Sequence, residues 1–347
     1  MPTLDRLHRL ETKRGDLQDE YELLSKKLRG LRRSRAIETD AADKTKLDVQ
    51  IEEASEELER VETELDRLEC QIDEFTKPAN SISPSVNLDQ LHGALLKLGY
   101  WEQQRSFKKV IKDHPVGAFL IHGNSPEYGQ RWLLNRLALE TFRSLEAKVV
   151  KVNLGRVSSR SNIPALWREL AERVGLRRQN TPSEAEIVER VHQWWQTQNV
   201  IIVFYDVHGT IEDNLRDLIN DFWAVLANRV SETATQGNGF KLLMFLLDDK
   251  GSVNTWNLTF AKQYDSTWRP IIPFGLPNLT EFSSDLLITW IEQQSGVLPT
   301  AITDEVETVV AALLANTDNG IPEPTLREIC DLCGCNWYDQ EDKWLKL

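Results

Sequence analysis

One segment, residues 116–137, constrains the fold of this 347-residue chain more than any other. An apolar run at residues 118–121 leads into a turn-rich loop at residues 122–129. Leu133, Leu134 and Leu137 follow the loop at spacings that place them on one face of a helix. The segment therefore predicts a buried strand, a glycine-containing loop and an amphipathic helix in direct succession.

The loop has the frame of a phosphate-binding loop but lacks its chemical groups. A working loop, G-x-x-x-x-G-K-[ST], holds phosphates with backbone N–H groups and a lysine, and its hydroxyl binds Mg²⁺. Here five residues rather than four separate Gly123 from Gly129, Gln130 replaces the lysine, and Arg131 replaces the hydroxyl. Glu127 adds negative charge where a triphosphate needs positive potential. Gly123, Gly129, Gln130 and Arg131 thus form a degenerate phosphate loop, which predicts a nucleotide-binding fold that does not hydrolyse nucleotide.

Beyond this segment, strand-like runs alternate with amphipathic stretches. The candidate strands are residues 117–121, 148–153, 200–206, 241–247 and 271–274, and the helical stretches between them include residues 132–142, 163–174, 184–196 and 214–229. Such alternation predicts a mostly parallel sheet that is covered on both faces. Together with the loop, it predicts an α/β fold, a P-loop NTPase-like three-layer sandwich.

The third candidate strand ends in an acid, Asp206. At the carboxyl end of a buried strand, an aspartate of this kind supports Mg²⁺ in P-loop enzymes. The next residue is Val207, where an ATPase of the additional-glutamate class has its water-activating glutamate. Asp206 is therefore interpreted as a Walker B-like relic. The alternative is a structural role as an N-cap or as an anchor for the turn at residues 208–209, and the absent lysine and hydroxyl favour that alternative.

Composition narrows the possible partners. The net charge of −13 opposes binding to duplex DNA or to an anionic bilayer unless a local basic patch intervenes. No signal-peptide pattern and no apolar run of about 18 residues occurs, so we expect a cytoplasmic protein without a membrane partner.

Cys330, Cys333 and Cys335 suggest a zinc site, but three thiols without a nearby histidine favour free thiols. We expect neither a metal nor a cofactor.

The first 75 residues carry the most regular periodicity in the chain. Apolar positions in the second half of this region alternate spacings of four and three residues: Leu47, Ile51, Ala54, Leu58, Val61, Leu65, Leu68, Ile72 and Phe75. A less regular repeat precedes them, and the two helices predicted by these repeats favour an antiparallel hairpin with coiled-coil packing.

An isolated hairpin leaves part of its apolar seam exposed. The candidate partner surface is therefore the seam at Leu58, Val61, Leu65 and Leu68 with the basic end at Arg32, Arg33 and Arg35. Contact with nucleic acid is disfavoured because the second helix is acidic.

Two family resemblances emerge from these segments. Residues 28–51, with the run Ala-Ile-Glu-Thr-Asp at 36–40, resemble a helical-hairpin effector-associated module of cyanobacterial proteins. That module occurs beside TIR, caspase-like, trypsin-like or NACHT domains. Residues 98–107, 119–123 and 128–134 resemble the inactivated STAND NTPase-like domain of prokaryotic signalling and conflict systems, with Gly-Gln-Arg-Trp-Leu in place of Gly-Lys-Thr-x-Leu. The resemblance implies an adaptor that keeps the STAND scaffold and has lost ATP turnover.

These observations predict four regions: a helical hairpin at residues 1–75, a linker at 76–89, a degenerate P-loop core at 90–279 and a helical, lid-like region at 280–347. The predicted function is a non-catalytic adaptor whose hairpin recruits an effector with a similar module, of protease, TIR or caspase-like type, or a second copy of itself. The alternative is a switch that binds nucleotide without hydrolysis, with Arg131 and the helix N-terminus as its anion site.

Overall fold

The chain divides into two compact units, Met1–Ser83 and Pro84–Leu347. The computed structural model describes scattered residues between 13 and 61, and then residues 86–347 except 143–146, 159–162, 177–182 and 234–238. Among the described residues, no helix is long and apolar enough to cross a membrane.

All described residues of the first unit are helical. Within this unit Leu28, Ala54 and Val61 are buried, and the other described seam positions are partly buried. Arg35 pairs with Asp48 through two contacts, from Nε to Oδ1 and from Nη2 to Oδ2. The described positions of the predicted seam are therefore largely shielded from solvent.

The second unit is built on a five-stranded parallel sheet. Its strands are β1 (Val116–His122), β2 (Ala147–Asn153), β3 (Asn199–Tyr205), β4 (Leu242–Asp248) and β5 (Phe274–Gly275). The spatial order is β2-β3-β4-β1-β5, and β1 pairs with β4 from Val116 opposite Leu242 to His122 opposite Asp248. Strands β1 and β4 are buried throughout, as expected of central strands in a parallel sheet covered on both faces. Because β4 lies between β1 and β3, the segments that follow these three strands meet at one edge of the sheet.

Helices cover both faces of the sheet. Those before β5 are α1 (Leu88–Leu95), α2 (Trp101–Asp113), α3 (Gln130–Thr141), α4 (Leu154–Ser158), α5 (Ile163–Arg173), α6 (Glu184–Trp195), α7 (Glu212–Asp217) and α8 (Ala224–Thr233). A π-helical segment, Leu218–Trp223, joins α7 to α8. Those after β5 are α9 (Ser284–Gln293), α10 (Thr300–Thr303), α11 (Val306–Asn316), α12 (Pro322–Leu332) and α13 (Trp337–Trp344).

Alternate side chains of each strand enter two separate cores. Phe119 and Ile121 of β1 join the core that contains α1, α2 and α3, whereas Ala118 and Leu120 join the core that contains α5, α6 and α8. The helices after β5 pack into the first of these cores. The predicted three-layer α/β sandwich is confirmed.

The fifth predicted strand was placed too early and made too long. Residues 271–274 are apolar, but the structure has a turn before Pro273, where Ile272 N–H donates to Arg269 O at 3.0 Å. Pro273 has no N–H to give to a neighbouring strand. Pairing with β1 is therefore confined to Phe274 and Gly275.

Candidate functional site

The loop after β1 is closed by its own hydrogen bonds. Residues Pro126–Tyr128 form a 3₁₀ turn, in which Tyr128 N–H donates to Ser125 O at 3.2 Å and Gly129 N–H donates to Pro126 O at 3.3 Å. At the start of the loop, Gly123 N–H donates to Asp248 O at 3.2 Å. Three N–H groups of the kind that a phosphate loop offers to its ligand are therefore bound within the protein.

Gln130 fills the interior of this loop. It is 1% exposed, and its Nε2 donates to Ser125 O at 2.8 Å and lies 3.4 Å from Asp248 O. A Cβ atom added at Gly123 would lie 2.9 Å from that Nε2 and 2.8 Å from Cβ of Tyr128. The side chains of Gln130 and Tyr128 thus occupy the space beside Gly123 that a ligand-binding loop leaves open.

Gly129 is required by both its backbone conformation and its surroundings. Its φ is +77°, in the left-handed region that favours glycine. A Cβ at this position would clash with the Tyr100 hydroxyl, which donates a hydrogen bond to Tyr128 O at 2.9 Å. The Tyr128 hydroxyl in turn donates to the Glu281 carboxylate before α9. The loop is therefore anchored from two sides, by the start of α2 and by the segment before α9.

Three carboxyl groups, those of Asp206, Asp248 and Asp249, lie at the carboxyl ends of β3 and β4, at the same edge of the sheet. Asp248 is fully buried, and its carboxylate accepts from Lys250 N–H at 3.1 Å and from Val253 N–H at 2.8 Å. Burial, then the charges of Asp206 and Asp248, raise the pKa of Asp249 to about 6. A hydrogen bond between the Asp249 and Asp206 side chains adds to this increase. Asp249 therefore keeps its proton at mildly acidic pH.

The side chain of Asp206 anchors a neighbouring strand, whereas its carbonyl oxygen accepts from Gly209 N–H at 2.8 Å in its own turn. It lies in the left-handed region, with φ +51°, at the N-cap of the 3₁₀ turn Val207–Gly209, but its side chain makes no cap hydrogen bond there. Instead its carboxylate accepts from the side-chain amide of Asn153, the last residue of β2. Within the residues that the structure describes, no group of three or more histidine, cysteine or acidic side chains is arranged to hold a metal.

Arg131 contacts the C-terminal part of the chain. Its side chain is 51% exposed, and its Nη1 lies 3.4 Å from Oε1 of Glu341 in α13. One helical turn further along α3, buried Asn135 accepts from Leu347 N–H at 2.9 Å and donates to Leu347 O at 3.2 Å. Helix α3, which would follow the phosphate loop of an active enzyme, therefore holds α13 and the residues after it.

His122, at the end of β1, had no role in the sequence analysis. Its Nδ1 accepts from the Asn254 side-chain amide at 2.8 Å, and its Nε2–H donates to Leu276 O at 2.9 Å. Burial lowers the pKa of His122, in keeping with a neutral ring in this arrangement. His122 thus ties together the segments after β1, β4 and β5. Its position at the end of a central strand was the only signal in the sequence.

The candidate partner surface is described only in part. Val61 is 4% exposed, Leu58 is partly buried, and Arg35 is paired with Asp48. The positions Leu65, Leu68, Arg32 and Arg33 lie outside the described residues.

The parallel sheet and the altered strand–loop–helix unit define a P-loop NTPase-like class of protein. Residues 95–247 match the family model described as inactive STAND, and residues 5–68 match the one described as effector-associated domain 9. Two segments of the chain therefore match an effector-associated domain and an inactive STAND domain, in the order that the sequence resembles. An inactive STAND domain is consistent with a non-catalytic protein.

Solved structures with a similar fold are distant in sequence. Cdc6p from Pyrobaculum aerophilum is 14% identical, with a TM-score of 0.40, over 71% of this chain and 63% of its own. The ORC1 protein of Aeropyrum pernix, solved in complex with DNA, is 18% identical, with a TM-score of 0.32, over 69% of this chain and 64% of its own. The chain thus spans less than two thirds of either protein. No curated protein matches the chain.

Proposed function

We propose that this protein is a non-catalytic adaptor of a prokaryotic signalling or conflict system, acting in the cytoplasm. Its N-terminal hairpin recruits an effector that carries a similar helical module, or a second copy of itself. Its STAND-like core, which cannot turn over nucleotide, makes a second set of protein contacts. The effector-associated match at residues 5–68 and the inactive STAND match at residues 95–247 support this pairing of roles.

The observation that carries the proposal is the side chain of Gln130. In a working loop, a lysine at this position reaches the β and γ phosphates. Here Gln130 donates to the loop itself, at Ser125 O, and is buried against Gly123. A nucleotide would have to displace this side chain and break the 3₁₀ turn before its phosphates could enter.

The rival hypothesis is a switch that binds nucleotide without hydrolysing it. That hypothesis uses Arg131 and the N-terminus of α3 to hold the anion. The ion pair between Arg131 and Glu341 argues against it, because the guanidinium already has an acidic partner. A triphosphate would have to compete with that contact as well as with Gln130.

A thermal unfolding experiment separates the two hypotheses. The full chain is heated with and without Mg-ATP, Mg-ADP and Mg-GTP at millimolar concentration. A ligand present at 100 times its Kd would stabilise the folded protein by about 2.7 kcal/mol. The adaptor proposal expects no change in Tm with any nucleotide. A nucleotide-dependent increase that is lost in Arg131→Ala would favour the switch.

An ATPase assay tests the remaining alternative, an enzyme. The adaptor proposal expects no phosphate release above the buffer control. Phosphate release by the parent chain that disappears in Asp206→Asn would overturn the proposal.

Recruitment is tested by co-purification of effector proteins encoded beside this chain. The full chain and a chain lacking residues 1–83 are compared, since the structure divides at Ser83 and Pro84. Unfolding curves of both preparations establish that the second unit remains folded. Loss of the effector from the shortened chain supports recruitment by the hairpin, whereas its retention moves the interface to the core.

A further inference from the structure

Helix α12 ends in a turn that brings two cysteines together. Cys335 N–H donates to Cys330 O at 2.9 Å, and Gly334 N–H donates to Asp331 O at 2.9 Å. Gly334 has φ +73°. This pair of hydrogen bonds around a left-handed glycine is a Schellman motif, which places the first and last residues next to each other and commonly brings their side chains into contact. Here those two residues are Cys330 and Cys335.

The two thiols differ in exposure and in acidity. All three C-terminal cysteines are free; Cys330 is fully buried, and Cys335 is partly exposed. A hydrogen bond from the Cys330 thiol lowers the pKa of Cys335, against the opposing effects of burial and of the nearby Asp331 charge. The same hydrogen bond, with burial, raises the pKa of Cys330. Cys335 is therefore the sulfur at which a thiolate forms and which solvent can reach.

Cys333 is a neighbour of the pair but not a part of it. It occupies the C-cap of α12, and it is 8% exposed. Burial, followed by the charge of Cys335, raises the pKa of Cys333 to about 12. A thiol that is buried and protonated reacts slowly with a reagent from solution, so Cys333 offers a matched control two residues from Cys335.

We propose that Cys335 and Cys330 form a dithiol that reacts with hydroperoxides and closes to a reversible disulfide. This site is independent of the adaptor role. Cys335 is the attacking sulfur, and Cys330 is the resolving sulfur. The turn holds the two residues next to each other through the bond from Cys335 N–H to Cys330 O, and their thiols are hydrogen-bonded, so closure requires little movement of the end of α12.

The reaction has two steps. The Cys335 thiolate attacks the outer oxygen of the hydroperoxide; the O–O bond breaks, and the leaving oxygen takes a proton and departs as water or an alcohol. Cys335 is then a sulfenic acid. The Cys330 sulfur attacks the Cys335 sulfur, its proton goes to the departing hydroxyl, and water leaves as the disulfide forms. The two thiols lose two electrons, which the peroxide gains, and a dithiol reductant reverses the change.

The helix that carries the dithiol also contacts the degenerate loop. Helix α12 begins at Pro322, and a Cβ added at Gly129 would lie 3.7 Å from Cβ of Pro322. Oxidation at one end of α12 therefore acts on a helix whose other end packs beside Gly129.

The first experiment uses the full chain with Cys70→Ser, which removes the remaining cysteine. Limiting iodoacetamide is added to the reduced protein, and peptide mass spectrometry follows each cysteine. We expect Cys335 to be alkylated at least about tenfold faster than Cys333 or Cys330, given its greater exposure and thiolate content. Equal rates at Cys335 and Cys333 would overturn the proposal.

The second experiment adds hydrogen peroxide and maps the products. We expect a Cys330–Cys335 disulfide that dithiothreitol reverses, and a Cys333→Ser variant that forms it at the parent rate. In Cys330→Ser, and in Cys330→Ala if the serine variant unfolds, a sulfenic acid trapped by dimedone on Cys335 is expected. A disulfide that uses Cys333, or no disulfide in the folded parent, contradicts the assignment.

Discussion

The side-chain Nε2 of Gln130 donates a hydrogen bond to the carbonyl oxygen of Ser125 at 2.8 Å, across the loop that follows β1. In a phosphate-binding loop, the residue at this position reaches outward to a ligand. Here it reaches back to the loop and fills its interior, so the loop is held in one closed conformation. The loop therefore belongs to the packed structure of the core.

Replacing Gln130 with alanine tests this structural role. The variant removes the donor to Ser125 O and leaves a cavity at a position that is 1% exposed. We expect a loss of about 1–3 kcal/mol in the free energy of unfolding, measured by urea denaturation. Gln193→Ala is the control, because exposed Gln193 donates only to Glu189 on the surface of α6, and its loss should be below about 0.5 kcal/mol. Equal losses in the two variants would show that Gln130 does not hold the loop.

Replacing Gly129 with alanine should lower the free energy of unfolding by more than the left-handed backbone conformation alone would cause. Gly175→Ala is the control, since Gly175 has φ +79° and nothing within 4 Å of an added Cβ. In Gly175→Ala, the left-handed conformation alone should lower the free energy of unfolding by about 1–2 kcal/mol. Gly129→Ala adds a clash with the Tyr100 hydroxyl and should lose about 1–3 kcal/mol more in thermal or urea unfolding.

A double variant identifies the source of the additional loss. Tyr100→Phe removes the hydroxyl that clashes with a Cβ at Gly129, together with its hydrogen bond to Tyr128 O. The Gly129→Ala, Tyr100→Phe chain should therefore lose less stability than the sum of the single variants. If the losses in free energy of unfolding are additive, the strain in Gly129→Ala does not arise from the Tyr100 hydroxyl.

The raised pKa of Asp249 predicts that the stability of the protein depends on pH in a specific way. Its pKa is raised from 3.8 to about 6 by burial and by the charges of Asp206 and Asp248, against the opposing charge of Arg131. The stabilising contribution of protonated Asp249 is therefore fully present below about pH 4 and is lost as the pH rises through about 6. Asp249→Asn keeps the side chain neutral, so at pH 7 it should be more stable than the parent by about 1–3 kcal/mol.

Urea denaturation from pH 4 to pH 7.5 measures this effect. The difference between Asp249→Asn and the parent should shrink toward zero as the pH falls to 4. Exposed Asp304→Asn serves as the control and should show no such change over the same range. A variant that is less stable than the parent at pH 7 would mean that the Asp249 charge is favourable in the folded protein.

The hydrogen bonds of the Asn135 side chain predict how strongly the residues after α13 are held in place. Its side chain accepts from Leu347 N–H and donates to Leu347 O, and both residues are buried. In Asn135→Ala, hydrogen exchange at residues 345–347 should accelerate by at least about tenfold, and stability should fall by about 1–3 kcal/mol. Asn316→Ala removes an exposed contact with Glu328 and should leave exchange in this segment unchanged. Unchanged exchange in Asn135→Ala would mean that the segment is held by packing of Leu345 and Leu347 and by the bond from Lys151 Nζ to Lys346 O.

Four of the five strands were visible in the sequence for a simple reason. Central strands of a parallel sheet are buried on both faces, so β1, β3 and β4 are nearly continuous apolar runs. The alternation of strands with helical stretches then predicted their parallel arrangement. The fifth strand was misplaced because the apolar character of residues 271–274 was given more weight than Pro273, whose missing N–H restricts the pairing to Phe274 and Gly275.

The altered chemistry of the loop could also be predicted, because it rests on residue identities at fixed spacings. Gln130 in place of lysine and Arg131 in place of a hydroxyl residue require no coordinates to be noticed. The anchoring residues were missed, because Tyr100 and Glu281 lie outside the motif and reach it only after folding. The pairing of Asp206 with Asn153 was missed for the same reason, since it needs the adjacency of β2 and β3.

The sequence by itself determined the α/β class, the resemblance to an inactive STAND domain with an effector-associated hairpin, and the loss of the phosphate-binding groups. These properties are encoded by periodicity and by residue types at short range. Only the tertiary structure decided which side chains fill the space that a bound phosphate takes in an active loop. Gln130 lies near Asp248 O across 118 positions, and Asn135 holds Leu347 across 212. Contacts over such distances depend on the order of strands in the sheet and on the packing of helices against it, which local patterns do not encode.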